Sequence, residues 1–413
     1  MRGRSARFLV TAAVVLGSIA AGAATAQPRT SPADDGPRPA RTAGASSGQA
    51  PTARRVCPDT HDPGLAFCLA MIRTDVPATR ALGPGRQPPG LSPQDIQSAY
   101  DLQGRGGSGR RVAIVVAFDY PNAEQDLAVY RRTFRLPPCT TANGCFRKVY
   151  STGVKPPVVD PLWALEAALD IQAVSAACPD CKITLVEAPT ARIDTSLLPA
   201  VGTASALPGV TAVNGSWGAG EQPAEAEFDF VFRPGIAYTF ASGDTGGQTV
   251  YPSVSPNVTS VGGTTLIPAH HRHGWAESGW AGSGGGCSLY EPKPSFQHDL
   301  LCPAGRATPD VSAVADPATG LAVYATSSGP AIPPGWYVVG GTSLSAPLVA
   351  GMYARAGRPG PADRPNTYPY ARPRDFHDIV IGCAGPYCAM PGYDLVTGIG
   401  TPHGVRGLRA HAR

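Results

Sequence analysis

Apolar runs alternate with helical patterns along most of this chain, and that alternation constrains the fold more than any other feature. RRVAIVVAF (110–118), CKITLVEA (181–188), VTAVNGSWG (210–218) and GIAYTFASGD (235–244) read as strands, as do GLAVYAT (320–326) and WYVVGGT (336–342). Between and around them NAEQDLAVYRRTF (122–134), PLWALEAALDIQAVSAA (161–177) and SLSAPLVAGMYARAG (343–357) carry helical patterns. LSPQDIQSAYDL (91–102) opens the series with Ser92 and Pro93 as a helix start. Strands without polar alternation are buried on both faces, the pattern of a parallel sheet covered by helices. The expected class is therefore α/β, three layers around a mainly parallel central sheet. Function in such folds sits at the carboxyl ends of strands. The turns SWG, SGD and GGTS all fall there.

The first residues read differently. Arg2, Arg4 and Arg7 precede an apolar run, and Ala24-Thr25-Ala26 offers an A-x-A cleavage site. This is the pattern of a secretory signal peptide over residues 1–26. No later run reaches the ~20 apolar residues of a membrane span, so the expectation is a secreted protein without a membrane anchor. Residues 27–56 are rich in Pro, Arg, Ala, Ser and Gly and are expected to be disordered. Residues 57–90 form a short pro-segment or linker, the main domain occupies 91–408, and a basic tail closes the chain at 409–413. Charged residues are only 15%, against the usual quarter. No basic run is interleaved with aromatics, so nucleic acid is not an expected partner.

Ten cysteines fall into five local pairs: Cys57 with Cys68, Cys139 with Cys145, Cys178 with Cys181, Cys287 with Cys302, and Cys383 with Cys388. An even count in an exported chain favours disulfides. Metal thiolates are the alternative, but only one C-x-x-C is present, at Cys178–Cys181.

The stretch GGTSLSAP places Ser343 where a strand turns into a helix. Gly340 and Gly341 permit the sharp turn, and Pro347 is tolerated early in the helix. Ser343 there is either a helix cap or a nucleophile beside backbone N–H groups able to hold an oxyanion. A nucleophile needs a base. The histidines upstream are His61, His270, His271, His273 and His298, none at a helix start of the HGT kind. Asp119 could serve as the aspartate of a histidine triad, but no histidine suits it. Carboxylates fit better. Glu166 and Asp170 stand four apart on an otherwise apolar helix, hence on one face. Buried together, one would hold its proton to higher pH, and the pair could act as general base. An exposed acidic face is the plainer alternative. Asp244, in the glycine turn ASGDTGG, is either a turn residue or an oxyanion donor, and it donates only when protonated.

These residues resemble the sedolisin family of serine-carboxyl peptidases. The matching stretches are WALEAALD, SGDTGG, YPSVSPNVTSVGGTTL, PDVSAVADPATG, GGTSLSAP and DIVIGCAGPYCAMPGYDLVTGIGTP, spanning roughly residues 91–405. The resemblance implies a subtilisin-like fold and activity on polypeptide substrates, favoured in acid. It implies Ser343 as nucleophile, Glu166 as base, Asp170 as its partner and Asp244 as the oxyanion-hole carboxyl. It also implies one structural calcium ion, held by the carboxylates of Asp378 and Asp394 and the carbonyls of Ile379, Met390 and Gly392. Oxygen ligands of this kind suit calcium. Met390 stands where the family has a glycine. Ser216, Trp217 and Gly218 match the segment lining the substrate groove, where an extended peptide binds as an added strand. Trp217 could equally be a core aromatic. The Gly282–Ser288 stretch would line the other side.

Three features depart from the family. The large folded pro-domain is missing from the short span 27–90, which leaves zymogen control without its usual agent. Cys287 replaces an aromatic after GGG, and the chain is compact. The expected protein is a secreted, monomeric serine-carboxyl peptidase. The competing readings are an inactive secreted scaffold on the same fold and a histidine-dependent subtilisin-type protease.

Overall fold

The computed structural model describes residues 51–410, except 81, 84, 103, 105, 271–273, 327, 328 and 330. The expected leader (1–26), most of the expected disordered stretch (27–50), His271, His273 and the end of the tail (411–413) lie outside the described residues.

Among those residues, strands β1 (Ala53–Arg55), β2 (Phe67–Cys68) and β3 (Met71–Arg73) come first, then helix α1 (Pro93–Ala99). The central sheet follows: β4 (Arg111–Ala117), β5 (Phe146–Tyr150), β6 (Lys182–Ala188), β7 (Val210–Gly215), β9 (Ala237–Ala241), β10 (Thr259–Pro268) and β11 (Trp275–Gly279), with the two-residue β8 (Trp217–Gly218) just past β7. Their order is β11-β10-β9-β7-β4-β6-β5. A hairpin of β12 (Gly286–Pro292) and β13 (Gly305–Thr308) precedes β14 (Val311–Val314), which pairs with β10. Every pairing in the central sheet is parallel except β10 with β11.

The crossovers are α2 (Ala123–Thr133), α3 (Pro161–Ala177) and α4 (Leu198–Ala206). Asp160 starts α3 by accepting the Leu162 and Trp163 backbone N–H groups, and Pro161 fills the first position, where no partner is lost. From Trp163 to Ala177 every residue of α3 is buried. The reason is its place, wedged among α1, α2, β4 and α5 (Thr342–Ala356). Gly351 lets α5 approach α3 closely, since a Cβ there would lie 3.0 Å from that of Ala177. All five local cysteine pairs are disulfides. No described helix is long and apolar enough to cross a membrane.

Two expectations need correction. GLAVYAT and WYVVGGT do form strands, β15 (Leu321–Ala325) and β16 (Gly335–Gly340), but outside the central sheet. They pair antiparallel in a four-stranded sheet of order β1-β3-β16-β15. Only nine residues separate them, too few for a parallel crossover. Disorder over 27–56 also fails at its end, because Ala53–Arg55 pair with Met71–Arg73. The segment before Leu91 is thus part of this sheet, and β3 lies directly against β16.

Candidate active site

Strand β16 delivers the chain to Gly341, whose φ of 87° suits glycine, and α5 begins at Thr342. Ser343, fully buried, sits one residue into that helix. Its Oγ lies 2.9 Å from Glu166 Oε2 and 3.2 Å from the Ser216 carbonyl oxygen, two acceptors for one hydroxyl hydrogen.

Glu166 and Asp170 are one turn apart on α3, and neither has any exposed surface. Burial, followed by the neighbouring Asp170 charge, pushes the Glu166 carboxyl well up. Burial likewise pushes Asp170 well up, opposed by hydrogen bonds from Ser216 and Asn214. Ser216 Oγ donates to Asp170 Oδ1 at 2.6 Å, and the Asn214 amide donates to Ser216 Oγ at 2.9 Å. Glu166 Oε1 and Asp170 Oδ2 remain buried without a partner. Two neighbouring carboxyls with one unmet oxygen each can share a proton that both anions would lack.

Asp244 approaches from the loop after β9. Its Oδ1 accepts the Thr342 N–H and the Thr342 hydroxyl, both at 2.8 Å, while Oδ2 is buried and unpartnered. Burial pushes this carboxyl up to about 7, against the Thr342 bonds and the nearby Arg55 charge. The Gly282–Ser288 stretch, expected on the far wall of the groove, braces this loop. Gly284 donates to the Gly243 carbonyl at 2.8 Å and accepts from Ser242 Oγ at 2.9 Å. A Cβ on Gly284 would sit 2.1 Å from the Ser242 oxygen, which fixes glycine there.

The groove is filled by the chain itself. β2 pairs antiparallel with β8, Phe67 opposite Gly218 and Cys68 opposite Trp217. The Leu69 N–H donates to the Ser216 carbonyl, and the Leu69 carbonyl accepts the Ser343 N–H, both at 3.1 Å. Trp217 therefore contributes its backbone to the groove. Its indole points into the core, donating to the Val115 carbonyl at 2.9 Å and standing edge-on to Phe240.

Among the described residues the histidine alternative finds no geometry. His61, His270 and His298 are exposed, and the Ser343 hydroxyl is directed at Glu166 and Ser216. Asp119 is buried against Lys148 at 2.9 Å and Lys155 at 3.0 Å. Asn214 escaped the sequence reading because one polar residue inside an apolar strand carries no motif. Leu69 and Ala70 escaped it too, although LAFCLAMI (65–72) is an apolar run of strand length.

Asp378 and Asp394 flank one turn. Asp378 Oδ2 accepts the Gly392 N–H at 2.9 Å, and Asp394 Oδ2 accepts the Met390 N–H at 3.2 Å. Asp394 is buried and its carboxyl is pushed up by burial. The two acids, with the main-chain carbonyls of Ile379, Met390 and Gly392 adjoining them in sequence, are oxygen donors of the kind a hard cation takes, although Asp394 already accepts the Met390, Val396 and Thr397 N–H groups. No described cluster of three or more His, Cys, Asp or Glu side chains could hold a metal, so main-chain oxygens would have to supply much of the shell.

The Subtilase family profile matches residues 166–371, a span bracketing Glu166 and Ser343. Kumamolisin of Bacillus sp. (strain MN-32) is 32% identical over 370 residues, covering 78% of this chain and 64% of its own length. Sedolisin of Pseudomonas sp. (strain 101) is 33% identical over 173 residues, 37% of this chain and 28% of its own. A solved Pseudomonas sedolisin, complexed with two molecules of pseudo-iodotyrostatin, superposes with a TM-score of 0.65 at 25% identity, over 77% of this chain and 96% of that one. Fold and site together define the scaffold of a serine-type peptidase with subtilisin-like architecture. Within that class, the chain is similar over most of its length to peptidases of the sedolisin family.

Proposed function

We propose that this chain is a secreted serine-carboxyl peptidase that hydrolyses polypeptides in acid. The observation that carries the reading is convergence. Ser343 Oγ meets a buried carboxyl, its own N–H meets a peptide carbonyl, and the unpartnered Asp244 Oδ2 lies on the same side of Gly341 as that carbonyl.

Ser343 Oγ attacks the carbonyl carbon of the substrate and gives its proton to Glu166, whose basicity Asp170 tunes and whose orientation it fixes. The developing oxyanion is held by the Ser343 N–H and by protonated Asp244. The leaving amine takes the proton back from Glu166 as the C–N bond breaks. Water then enters by the same route, with Glu166 as base, and releases the acid from the acyl-enzyme. Substrate lies along Ser216–Gly218 as an added antiparallel strand. One calcium ion, held by Asp378 and Asp394 with the carbonyls of Ile379, Met390 and Gly392, would stabilise the fold rather than join the reaction. The active species is a monomer outside the cell.

The test is a pH–activity profile on a denatured protein substrate for wild type, Ser343→Ala, Glu166→Gln and Asp244→Ala. Activity confined to acid and lost in the first two variants is expected. Removing the Asp244 donor should cost about 10²–10³-fold in kcat. Full activity in Glu166→Gln would return the reading to a histidine mechanism. No hydrolysis by any folded form would favour the inactive scaffold.

A further inference from the structure

The segment that fills the groove is placed as a substrate would be. Upstream of Leu69 it pairs with β8, and downstream of Ala70 it pairs with β16, with Met71 opposite Gly340 and Ile72 opposite Val339. The Leu69 carbonyl oxygen accepts the Ser343 N–H at 3.1 Å. That oxygen and Asp244 Oδ2 lie 2.2 and 2.6 Å from the point a Cβ on Gly341 would occupy, so the carbonyl and the acid flank the same glycine. The Ala70 N–H is near enough to the Glu166 carboxyl to favour its charged form, and that carboxyl is the group from which a leaving amine must collect its proton. Ser343, Glu166 and Asp170 have no exposed surface under this segment, so no other polypeptide can reach them while it stays.

The connections around the bond are as telling as its position. Val56 donates its N–H to the Ala70 carbonyl at 2.9 Å, and β1 continues that pairing with β3. Cys57, next to Val56, is bonded to Cys68, next to Leu69. The residues on the two sides of Leu69–Ala70 are thus tied to each other by a second path, through Cys68, Cys57 and Val56. The loop between the cysteines is also anchored to the body, Ala66 donating to the Ala191 carbonyl at 2.9 Å.

We propose that residues 52–73 are a disulfide-latched reactive loop that inhibits this peptidase in cis, with Leu69–Ala70 held as the bond to be cut. The proposal rests on the peptidase reading above. Ser343 Oγ bonds to the Leu69 carbonyl carbon, the Leu69–Ala70 C–N bond breaks, and the hydroxyl proton passes through Glu166 to the Ala70 nitrogen. The new amine does not diffuse away, because Ala70 stays paired with Val56 and β3 with β16. It competes with water for the acyl-enzyme and reseals the bond. Cutting therefore leaves a nicked, blocked enzyme, and opening the Cys57–Cys68 latch frees the groove. The loop also names a sequence that the groove accepts, Phe-Cys-Leu before the bond and Ala-Met-Ile after it.

The experiment incubates the full chain at acidic pH, maps cleavage by mass spectrometry, follows the loop by gel filtration without reductant, and assays a denatured protein substrate. Wild type should be nicked between Leu69 and Ala70, retain the loop and hydrolyse substrate slowly. Cys57→Ser with Cys68→Ser should lose the loop and gain at least tenfold in activity. Ala70→Pro, which keeps the latch and so does not depend on folding without it, should stay whole and blocked. Ser343→Ala should never be nicked. High activity in uncut wild type or uncut Ala70→Pro would overturn the reactive loop and leave the peptidase reading standing. Hydrolysis absent from every form, including the folded latch-free variant, would overturn both.

Discussion

Ser216 joins the two ends of the proton path: its hydroxyl donates to Asp170 Oδ1 at 2.6 Å, and its carbonyl lies 3.2 Å from Ser343 Oγ. The hydroxyl favours the charged form of Asp170. Without it the acid pair holds its proton to higher pH and is a base over a narrower range. Ser216→Ala should lower kcat about tenfold, close to the 1.4 kcal/mol of a modest hydrogen bond to a charge, with little change in KM. The acid limb of the pH profile should move upward, and Ser216→Thr should restore it. A uniform loss at all pH values would reduce Ser216 to a packing residue.

The alkaline limit should belong to Asp244. Its carboxyl, pushed up to about 7, donates below that pH and only accepts above it. Activity should fall as pH rises through about 7. Asp244→Asn keeps the Oδ1 acceptor for Thr342 and places an N–H donor where Oδ2 now stands. It should retain measurable activity and lose the alkaline fall. A profile of wild-type shape in Asp244→Asn would assign that limb to another group.

Stability should run the same way. Burial is the first cause raising Glu187 to about 7, Glu225 and Glu291 to about 8, and Asp229 to about 6, in addition to Asp244. Each binds a proton when folded at a pH where the unfolded chain, near 4, has released it. Their contribution is present in acid and is lost as pH rises from about 4 to about 8. Thermal unfolding of Ser343→Ala, which cannot digest itself, should show a lower Tm at pH 8 than at pH 4. The opposite order would mean that salt bridges such as Asp119 with Lys148 dominate.

Calcium should be visible in stability alone. At about a hundred times its Kd an ion adds about 2.7 kcal/mol, roughly 3 °C for a chain of this size. Chelation should remove that increment from wild type and leave Asp378→Ala unmoved. Equal Tm values with and without chelator would remove the ion from the account.

Much of this was legible because burial writes itself into composition. The bounds of α3 and the strand character of β4, β6, β7 and β9 follow from apolar runs with proline and glycine at their ends. The carboxyl pair was visible for the same reason, two acids on an otherwise apolar helix, although it took Asp244 and the Ser343 turn to favour a site over an exposed acidic face. Main-chain interactions left no such trace. The pairing of β3 with β16, the seat of Leu69 and the role of the Ser216 carbonyl depend on backbone N–H and C=O groups, which every residue but proline offers. Residues 57–90 accordingly read as a linker, and β15 and β16 as members of the wrong sheet. Only topology, not periodicity, distinguishes a hairpin beside the sheet from strands within it.

β16 carries one further implication. With residues 52–73 in place it is an interior strand, flanked by β3 and β15. Cutting at Leu69–Ala70 and losing residues 52–69 leaves β3 on the body, joined to β16 only at Met71 and Ile72; once that short end undocks, β16 becomes a border, with a row of vacant main-chain donors and acceptors beside Ser343. That border is where the downstream half of a polypeptide docks, and equally where two activated copies could zip edge to edge. The mature form should accordingly be less soluble when starved of polypeptide than the latched precursor at the same concentration.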